Sequence, residues 1–379
     1  MDLNELRGQI DGVDRQLLEL FSKRMDLVGQ VADYKIQNNL PVFHSGREAE
    51  IISRVSAGVP PEYSDGAAVL FTTLMDISKS MQYQRMASNS GLYQKISDAV
   101  ENIRPLPQEA VVACQGVAGA NSDLACKTLF SSSKQCFYET FEDVFKAVDS
   151  GKADYGILPI ENSLAGSVFQ VYDLMKRYRF SICKGVKLPI RHSLLCTANT
   201  PFNQITDIYS HEQAIRQCEA FLRANPQIQV HVYSNTAKAA QYVMQQNNPK
   251  LAAIASPCCQ ELYGLHALYT DIQDSKNNFT RFICISKNLQ LYTSKGKISI
   301  MLGLPHVAGS LYRIITRFAI HKLNLTKIES RPLPNTDFEF MFYFDFEGDI
   351  SSEPVKKLLE NLQSELESFV FLGCYEEIV

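Results

Sequence analysis

The sequence predicts a multidomain α and α/β protein, and three observations predict it. Apolar residues recur every seven positions from Leu3 to Tyr34, which is helical periodicity. From about residue 109 to 288, short apolar runs alternate with helical patterns, the texture of an α/β sheet protein. From about 297 to 379 the order is strand, helix, strand, strand, helix, strand, a ferredoxin-like βαββαβ sandwich. At 379 residues the chain exceeds what one core serves. The three textures are therefore assigned to domains at 1–88, 109–288 and 297–379. Residues 89–108, with Asn89, Ser90, Gly91, Pro105 and Pro107, form a connector that is partly helical at most.

The hydrophobic fraction of 45% is that of an ordinary folded protein, and the net charge is −4 with a pI near 6.0. Neither a basic stripe nor a Lys/Arg-rich arm is present, so nucleic-acid binding has no electrostatic footing and an anionic ligand must be gripped locally. The ten Cys are scattered, with only Cys258 and Cys259 adjacent and no C-x-x-C. That argues against a zinc site or a disulfide framework and for a reducing cytoplasm. The chain opens on an amphipathic helix pattern, and no apolar run approaches membrane-spanning length, so neither export nor insertion is expected.

The first helix carries Leu3, Ile10, Leu17, Arg24 and Val31 at one heptad position and Leu6, Val13, Leu20, Leu27 and Tyr34 at the other. Unbroken, it would run about 48 Å at 1.5 Å per residue, more than a module of its size can cover, which predicts packing against a second copy. Arg24 is the one charge among those ten positions. A buried, unpaired guanidinium is costly, so its place on the stripe calls for an anion, unless the side chain snorkels off a frayed seam. Lys35 follows about 16 Å along the axis and about 20° round it, so two long side chains can converge on one small ligand. Arg7 is about 25 Å from Arg24 and about 100° round the helix, and can join that cluster only from a partner chain. A shorter helix begins near Gly46-Arg47-Glu48. After Pro60-Pro61, Tyr63, Ala67, Leu70, Leu74, Ile77 and Met81 restore the heptad spacing. Ser78 and Gln82 flank that stripe one turn apart, as a hydroxyl and an amide donor or else as solvated surface.

Arg7, Arg24, Lys35, the Arg47-Glu48 pair, Ser78 and Gln82 together resemble the active-site set of the all-helical chorismate mutases, over essentially the first 85 residues. The resemblance implies that Arg24 and Arg47, with Arg7 from the other chain of a helix-swapped dimer, handle the substrate's two carboxylates and surroundings. It implies that Lys35 and Gln82 point at the ether oxygen and that Glu48 helps hold the substrate hydroxyl. The rearrangement of chorismate to prephenate needs no metal, cofactor, nucleophile or proton transfer, so fixed donors at the breaking C–O oxygen and a clamped conformer suffice. His44 stands where the family usually has Asp. Neutral imidazole could accept the substrate hydroxyl's proton, whereas the protonated ring could only donate.

In the middle region Val111 to Cys114, Tyr155 to Ile160, Ile208 to Tyr209, Val230 to Tyr233 and Leu251 to Ala255 are candidate strands. Ser122, Ser163, Ser210, Thr236 and Ser256 fall at strand-to-helix junctions, where free N–H groups attract anions. Ordinary helix capping is the preferred reading of Ser122, Thr236 and Ser256. Glu161-Asn162-Ser163, Ser210-His211 with Gln213 and Gln217, and Thr280-Arg281-Phe282 say more. With Tyr263-Gly264-Leu265 and Ala252 to Ser256, they resemble the prephenate dehydratase domain over its full length. That family's fold is two α/β lobes around a cleft, like a periplasmic binding protein. Its reaction expels carbon dioxide and the ring hydroxyl of prephenate to give phenylpyruvate. By resemblance Thr280 is central to hydroxide departure, donating a hydrogen bond or relaying a proton from Glu161, His211 or water. Arg281 would grip a carboxylate, while Asn162, Ser163, Ser210, Gln217 and Phe282 would hold the substrate; His211 is equally readable as a capping residue. Asn121 replaces an aromatic residue frequent in the family.

In the C-terminal region Gly309-Ser310-Leu311-Tyr312 and Glu329-Ser330-Arg331-Pro332 resemble the two phenylalanine-site motifs of ACT domains attached to prephenate dehydratases, with Ser310 where Ala is usual. The resemblance implies phenylalanine bound between two such domains, hence a homodimer or larger, and inhibition if binding favours a less active arrangement. Together the three resemblances imply a cytoplasmic bifunctional enzyme without cofactor, making phenylpyruvate from chorismate. The alternative is an aromatic-acid sensor with both catalytic centres decayed.

Overall fold

The computed structural model describes residues 2–42, 44–85, 91–197, 200–332 and 340–379. They form two compact units, Met1–Glu101 with Ile298–Phe371, and Asn102–Lys297 with Leu372–Val379. Among the described residues no helix is long and apolar enough to cross a membrane.

The chain opens with α1 (Leu3–Gln37), α2 (Ser45–Ala57), α3 (Ser64–Arg85) and α4 (Gly91–Glu101). A capping box starts α1: Asp2 Oδ1 accepts from the Glu5 amide at 2.8 Å and Glu5 Oε2 from the Asp2 amide at 2.9 Å. The helix buries Met25, Gly29 and Ala32, a stripe one step round from the Leu-rich heptad positions. That seam, including Leu3, Ile10, Leu17, Leu20 and Tyr34, stays exposed in the single chain. The presumed connector contains α4, whose Ile96 is fully buried.

The second unit begins with β1 (Val111–Gln115), α5 (Asn121–Leu129), β2 (Lys134–Tyr138), α6 (Phe141–Asp149), β3 (Tyr155–Asn162), β4 (Gly166–Ser167), α7 (Phe169–Tyr178) and β5 (Ser181–Pro189). The chain then crosses to a second lobe of β6 (Ser193–Cys196), β7 (Asp207–Ser210), α8 (Glu212–Gln217), α9 (Glu219–Arg223), β8 (Gln229–Val232), α10 (Thr236–Gln246), β9 (Leu251–Ala255), α11 (Cys258–Tyr263) and β10 (His266–Tyr269). It returns to the first lobe as β11 (Phe279–Ser286). The remainder is β12 (Lys295–Leu304), α12 (Ser310–Ile320), β13 (Asn324–Pro332), β14 (Phe340–Asp349), α13 (Glu353–Glu365), β15 (Phe369–Tyr375) and β16 (Glu377–Ile378).

The first lobe's sheet runs β16-β5-β11-β3-β1-β2, with β4 on β3, and the second lobe's runs β10-β6-β9-β7-β8. β1 is parallel to β2 and β3, while β11 lies antiparallel between β3 and β5. Val112, Ile157, Cys183 and Phe282 anchor one core; Leu195, Ala239, Val243 and Ala253 anchor another. The all-Ala and Val face of α10 permits the close helix-to-sheet approach. In the first unit β13-β14-β12-β15 make a four-stranded sheet in ferredoxin-like order. Its helices α12 and α13 pack on α3, and α13 also on α4. The predicted start of β14 at Phe338 lies outside the described residues.

Gly373 permits the last strands to close on the first lobe. Its φ is +138° and an added Cβ would stand 2.2 Å from the Ile182 carbonyl oxygen. Gly373→Ala is therefore expected to destabilise the second unit by at least about 2 kcal/mol, read as a lower urea midpoint at unchanged slope.

Candidate functional site

On the helical unit, α1 and α3 bring Arg24 to Ser78. Arg24 Nη1 donates to Ser78 Oγ and, at 3.2 Å, to the Leu74 carbonyl. Ser78 and Gln82 are buried rather than solvated, and Gln82 Oε1 has no hydrogen-bond partner among the described residues. Lys35 Nζ donates to the Val42 carbonyl at 2.7 Å. Partial burial draws the pKa values of both Arg24 and Lys35 below their ordinary ranges by desolvation. Arg7 is exposed near the start of α1, and exposed Arg47 pairs with Glu50 at 2.8 Å, so neither is brought to Arg24 within the chain.

Glu48 is held by Lys79 Nζ at 2.8 Å and Arg313 Nη2 at 2.9 Å; Asp76, fully buried, completes the set at 2.9 and 3.4 Å from the same two cations. His44 caps α2, its Nδ1 accepting from the Arg47 amide at 3.2 Å. An Nδ1 engaged as acceptor puts the neutral ring's proton on Nε2, so His44 presents a donor in both protonation states. This reverses the expectation that neutral His44 accepts from a ligand.

Further along the first unit, Gly309 caps α12 with φ +84°. Ser310 and Leu311 line a cavity of about 280 Å³ with Leu304, His306, Phe340 and Phe342. Glu329, Ser330, Arg331 and Pro332 lie on β13, paired with Tyr343, Phe342, Met341 and Phe340, and are not in the described lining of that cavity.

In the second unit a cleft of about 490 Å³ is lined from both lobes. Register decides which predicted residues reach it. Thr280 pairs with Asn162 and Arg281 with Glu161 across β11 and β3. Successive strand side chains point to opposite faces, so Thr280, Phe282 and Asn162 face the cleft while Arg281 and Glu161 face away. Arg281 is instead ion-paired with Glu161 at 2.8 Å and Glu377 at 2.6 Å. The expectation that Arg281 grips a ligand carboxylate, and Glu161 as a proton source, are corrected by this alternation. Ser210 is buried with its hydroxyl on the Ile254 carbonyl at 2.6 Å, and Ser163 Oγ bonds Asn277 and Phe279 of the facing loop. Both brace the lobes outside the cleft lining.

Behind the cleft runs a buried polar chain. Asn162 Oδ1 accepts from the Leu164 and Ala165 amides at 3.0 and 2.8 Å, which turns its Nδ2 toward Thr280 Oγ1 and Asn278 Oδ1, both at 2.9 Å. Asn278 Nδ2 donates to Gln217 Oε1 at 2.9 Å, and His192 Nε2 meets the same oxygen at 3.0 Å. No Arg or Lys is among the described lining residues. Helix N-termini replace them: Asn121 and Ser122 of α5, Val168 before α7, and Asn235 and Thr236 of α10. Neither Ala120 nor Val168, the N-caps of α5 and α7, provides a side-chain cap. These ends carry partial positive charge and suit an anion. Asn235, not Thr236, caps α10, and Ser122 donates to the Gln115 carbonyl instead of capping α5.

A chorismate mutase type II family model matches residues 6–83 and a prephenate dehydratase model matches residues 112–290. A bifunctional chorismate mutase/prephenate dehydratase of Enterobacter agglomerans is 31% identical over 378 residues, spanning 98% of this chain and 95% of its own. The chain belongs to the bifunctional chorismate mutase/prephenate dehydratase family. Among solved structures, a prephenate dehydratase of Arthrobacter aurescens in complex with L-Phe aligns at TM-score 0.64 and 27% identity, over 70% of this chain and 90% of that one. GqqA, described as a novel type of quorum-quenching acylase, aligns with the same score, identity and share of this chain, and over 98% of its own.

Against this bifunctional family, sequence reasoning missed His192, Asn278 and the end of α7, while it marked the α5 and α10 ends through Ser122 and Thr236 but preferred capping for both. The one available signal for His192 was a polar residue leading into the fully buried strand Ser193–Cys196. His192 is 4% exposed and its Nδ1 has no hydrogen-bond partner among the described residues. Burial lowers its pKa below the ordinary 6.5, opposed by the Gln217 bond. The unfolded state then binds more protons, so this contribution to stability is present above pH about 6.5 and is lost as pH falls through the lowered folded value. In urea unfolding at about pH 7.5 and about pH 5.5, His192→Asn is expected to lose less stability between the two than the parent. Separately, Arg281→Met is expected to cost roughly 1.5–3 kcal/mol through its two carboxylate partners, with KM for prephenate nearly unchanged.

Proposed function

We propose that the helical segment rearranges chorismate to prephenate, that the two-lobed cleft converts prephenate to phenylpyruvate, and that phenylalanine restrains both through the C-terminal sandwich acting as an ACT domain. The domain limits proposed are 1–88, 109–288 and 297–379. In the mutase, Arg24 and Arg47 with a second copy's Arg7 hold the carboxylates, Lys35 and Gln82 serve the ether oxygen, and Glu48 and His44 lie by the substrate hydroxyl. The exposed heptad seam of α1 supports a second copy, because a monomer would leave that apolar stripe in water.

One observation carries the dehydratase reading. Asn162 Nδ2 donates to Thr280 Oγ1, which commits that oxygen as an acceptor and leaves the threonine's own proton to point into the cleft. Thr280 is thereby a donor to the departing hydroxide, with the proton coming from His211 or water. Gln217 and Phe282 position the ring, and helix N-termini take the carboxylates that no Arg or Lys of the lining meets. Carbon dioxide and hydroxide leave together and aromatisation drives the step, so one aimed donor over an anion-holding floor is sufficient machinery. Phenylalanine fits the Ser310–Leu311 cavity in size. The L-Phe complex of the Arthrobacter aurescens enzyme supports that assignment, aligning over more of the chain than the dehydratase match occupies.

Separate assays of the two steps test the division. Thr280→Ala is expected to lower dehydration by about 10²–10⁴ with mutase turnover spared. Arg24→Ala should lower mutase turnover by about 10² or more with dehydration spared. A protein that binds prephenate and yields no phenylpyruvate would be a sensor instead.

A further inference from the structure

The polar residues of α3 fall on two faces. Ser78 turns toward α1, where Arg24 meets its hydroxyl and the Leu74 carbonyl, and Gln82 follows one turn on. Thr73, Asp76 and Ser80 turn toward α12, at i, i+3 and i+7. There Thr73 Oγ1 lies 2.9 Å from Tyr312 Oη, Arg313 Nη2 lies 3.4 Å from Asp76 Oδ1, and Ser80 Oγ lies 3.3 Å from His321 Nε2. The middle contact reaches beyond α3, since the same Arg313 nitrogen donates to Glu48 Oε2 at 2.9 Å. The resulting cluster has two cations, Arg313 and Lys79, and two carboxylates, Glu48 and Asp76, all within 3.4 Å of an opposite charge. Their side chains are 36%, 6%, 19% and 0% exposed. Removing Arg313 leaves one uncompensated negative charge beside Glu48, in surroundings that screen it poorly.

We propose that Arg313 is a positioning residue for the mutase, and that it ties Glu48 to the state of the cavity at the head of α12. The covalent path is short. Ser310 and Leu311 line that cavity, and the Arg313 amide closes the first helical turn on the Gly309 carbonyl at 3.0 Å. A ligand that rotates or shifts the first turn of α12 must carry the guanidinium with it, and Glu48 loses or changes a partner. The coupling needs no contact between ligand and mutase substrate; it needs only that α12 favour a different setting when the cavity is filled. Arg313 acts through Glu48, directly and through the Asp76–Lys79 pair that Glu48 shares. This proposal rests on the reading of the cavity as the phenylalanine site and of Glu48 as a mutase residue.

The test uses the full chain with Arg313→Met, which keeps the packing stem without the charge, and Arg313→Lys, which keeps the charge without the fork. Chorismate consumption and prephenate dehydration are each measured with and without phenylalanine. The expected result for Arg313→Met is a mutase kcat lowered at least roughly fivefold and a mutase no longer responsive to phenylalanine. In the same protein, dehydration and its response to phenylalanine should match the parent, and Arg313→Lys should restore part of the mutase response. Two results would overturn the proposal: a mutase in Arg313→Met that turns over and responds as the parent does, or both activities and both responses falling together with a lowered melting temperature. A parent enzyme indifferent to phenylalanine in both assays would instead refute the cavity assignment on which the proposal rests.

Discussion

The register between β3 and β11 is the constraint from which the cleft follows. Asn162 opposite Thr280 and Glu161 opposite Arg281 are adjacent rungs of one ladder, and the pleat sends them to opposite faces. One rung faces the ligand space and supplies neutral hydrogen-bonding groups. The other takes the strong charges away from it and spends them on an ion pair extended to Glu377. A slip of β11 by one residue would turn Arg281 into the cleft and take Thr280 away from it. β11 resists that slip because it is bonded along its length to β5 on the other side.

The two halves of the chain differ in where positive charge faces a candidate site. In the helical unit it lies on side chains: Arg24 and Lys35 sit at the margin of the buried stripe, partly desolvated, each steadied by a carbonyl. At the cleft it lies on the backbone, at helix ends whose N–H groups and dipoles cost no side-chain entropy to immobilise. The described lining of the cleft accordingly carries no Arg or Lys side chain.

Much of this was legible in the sequence, and the limits are physical. Heptad spacing located α1 and α3, and the order of the C-terminal strands and helices was read to within a few residues, because long periodic segments announce themselves. The same heptads gave no sign of the stripe that packs within the chain. The Leu-rich positions are exposed, and the stripe that actually packs within the chain is Met25, Gly29 and Ala32, too small and too short to outweigh the leucines in a periodicity count. β2 and β5, with Lys134, Lys184 and Lys187 interspersed, did not look apolar enough to be strands. Glu161-Asn162 and Thr280-Arg281 were found as motifs, yet which member of each dipeptide faces the ligand depends on pairing between segments over a hundred residues apart. The helix ends at Ser122 and Thr236 were marked as junctions yet read as ordinary caps, because a backbone amide has no letter in the sequence. The contact of Arg313 with Glu48 spans 265 positions and follows no local pattern at all.

The path of the chain has a temporal consequence. Residues up to Lys297 build nearly all of the second unit, but β16 joins its sheet beside β5, and Glu377 completes the partnership of Arg281. At roughly 5–20 residues per second, a ribosome delivers that closing strand roughly 4 to 16 s after Lys297 has been made. During the wait β5 is an open sheet edge and Arg281 lacks one of its carboxylates, so the nascent lobe must tolerate an unfinished margin while the entire intervening sandwich is still being synthesised.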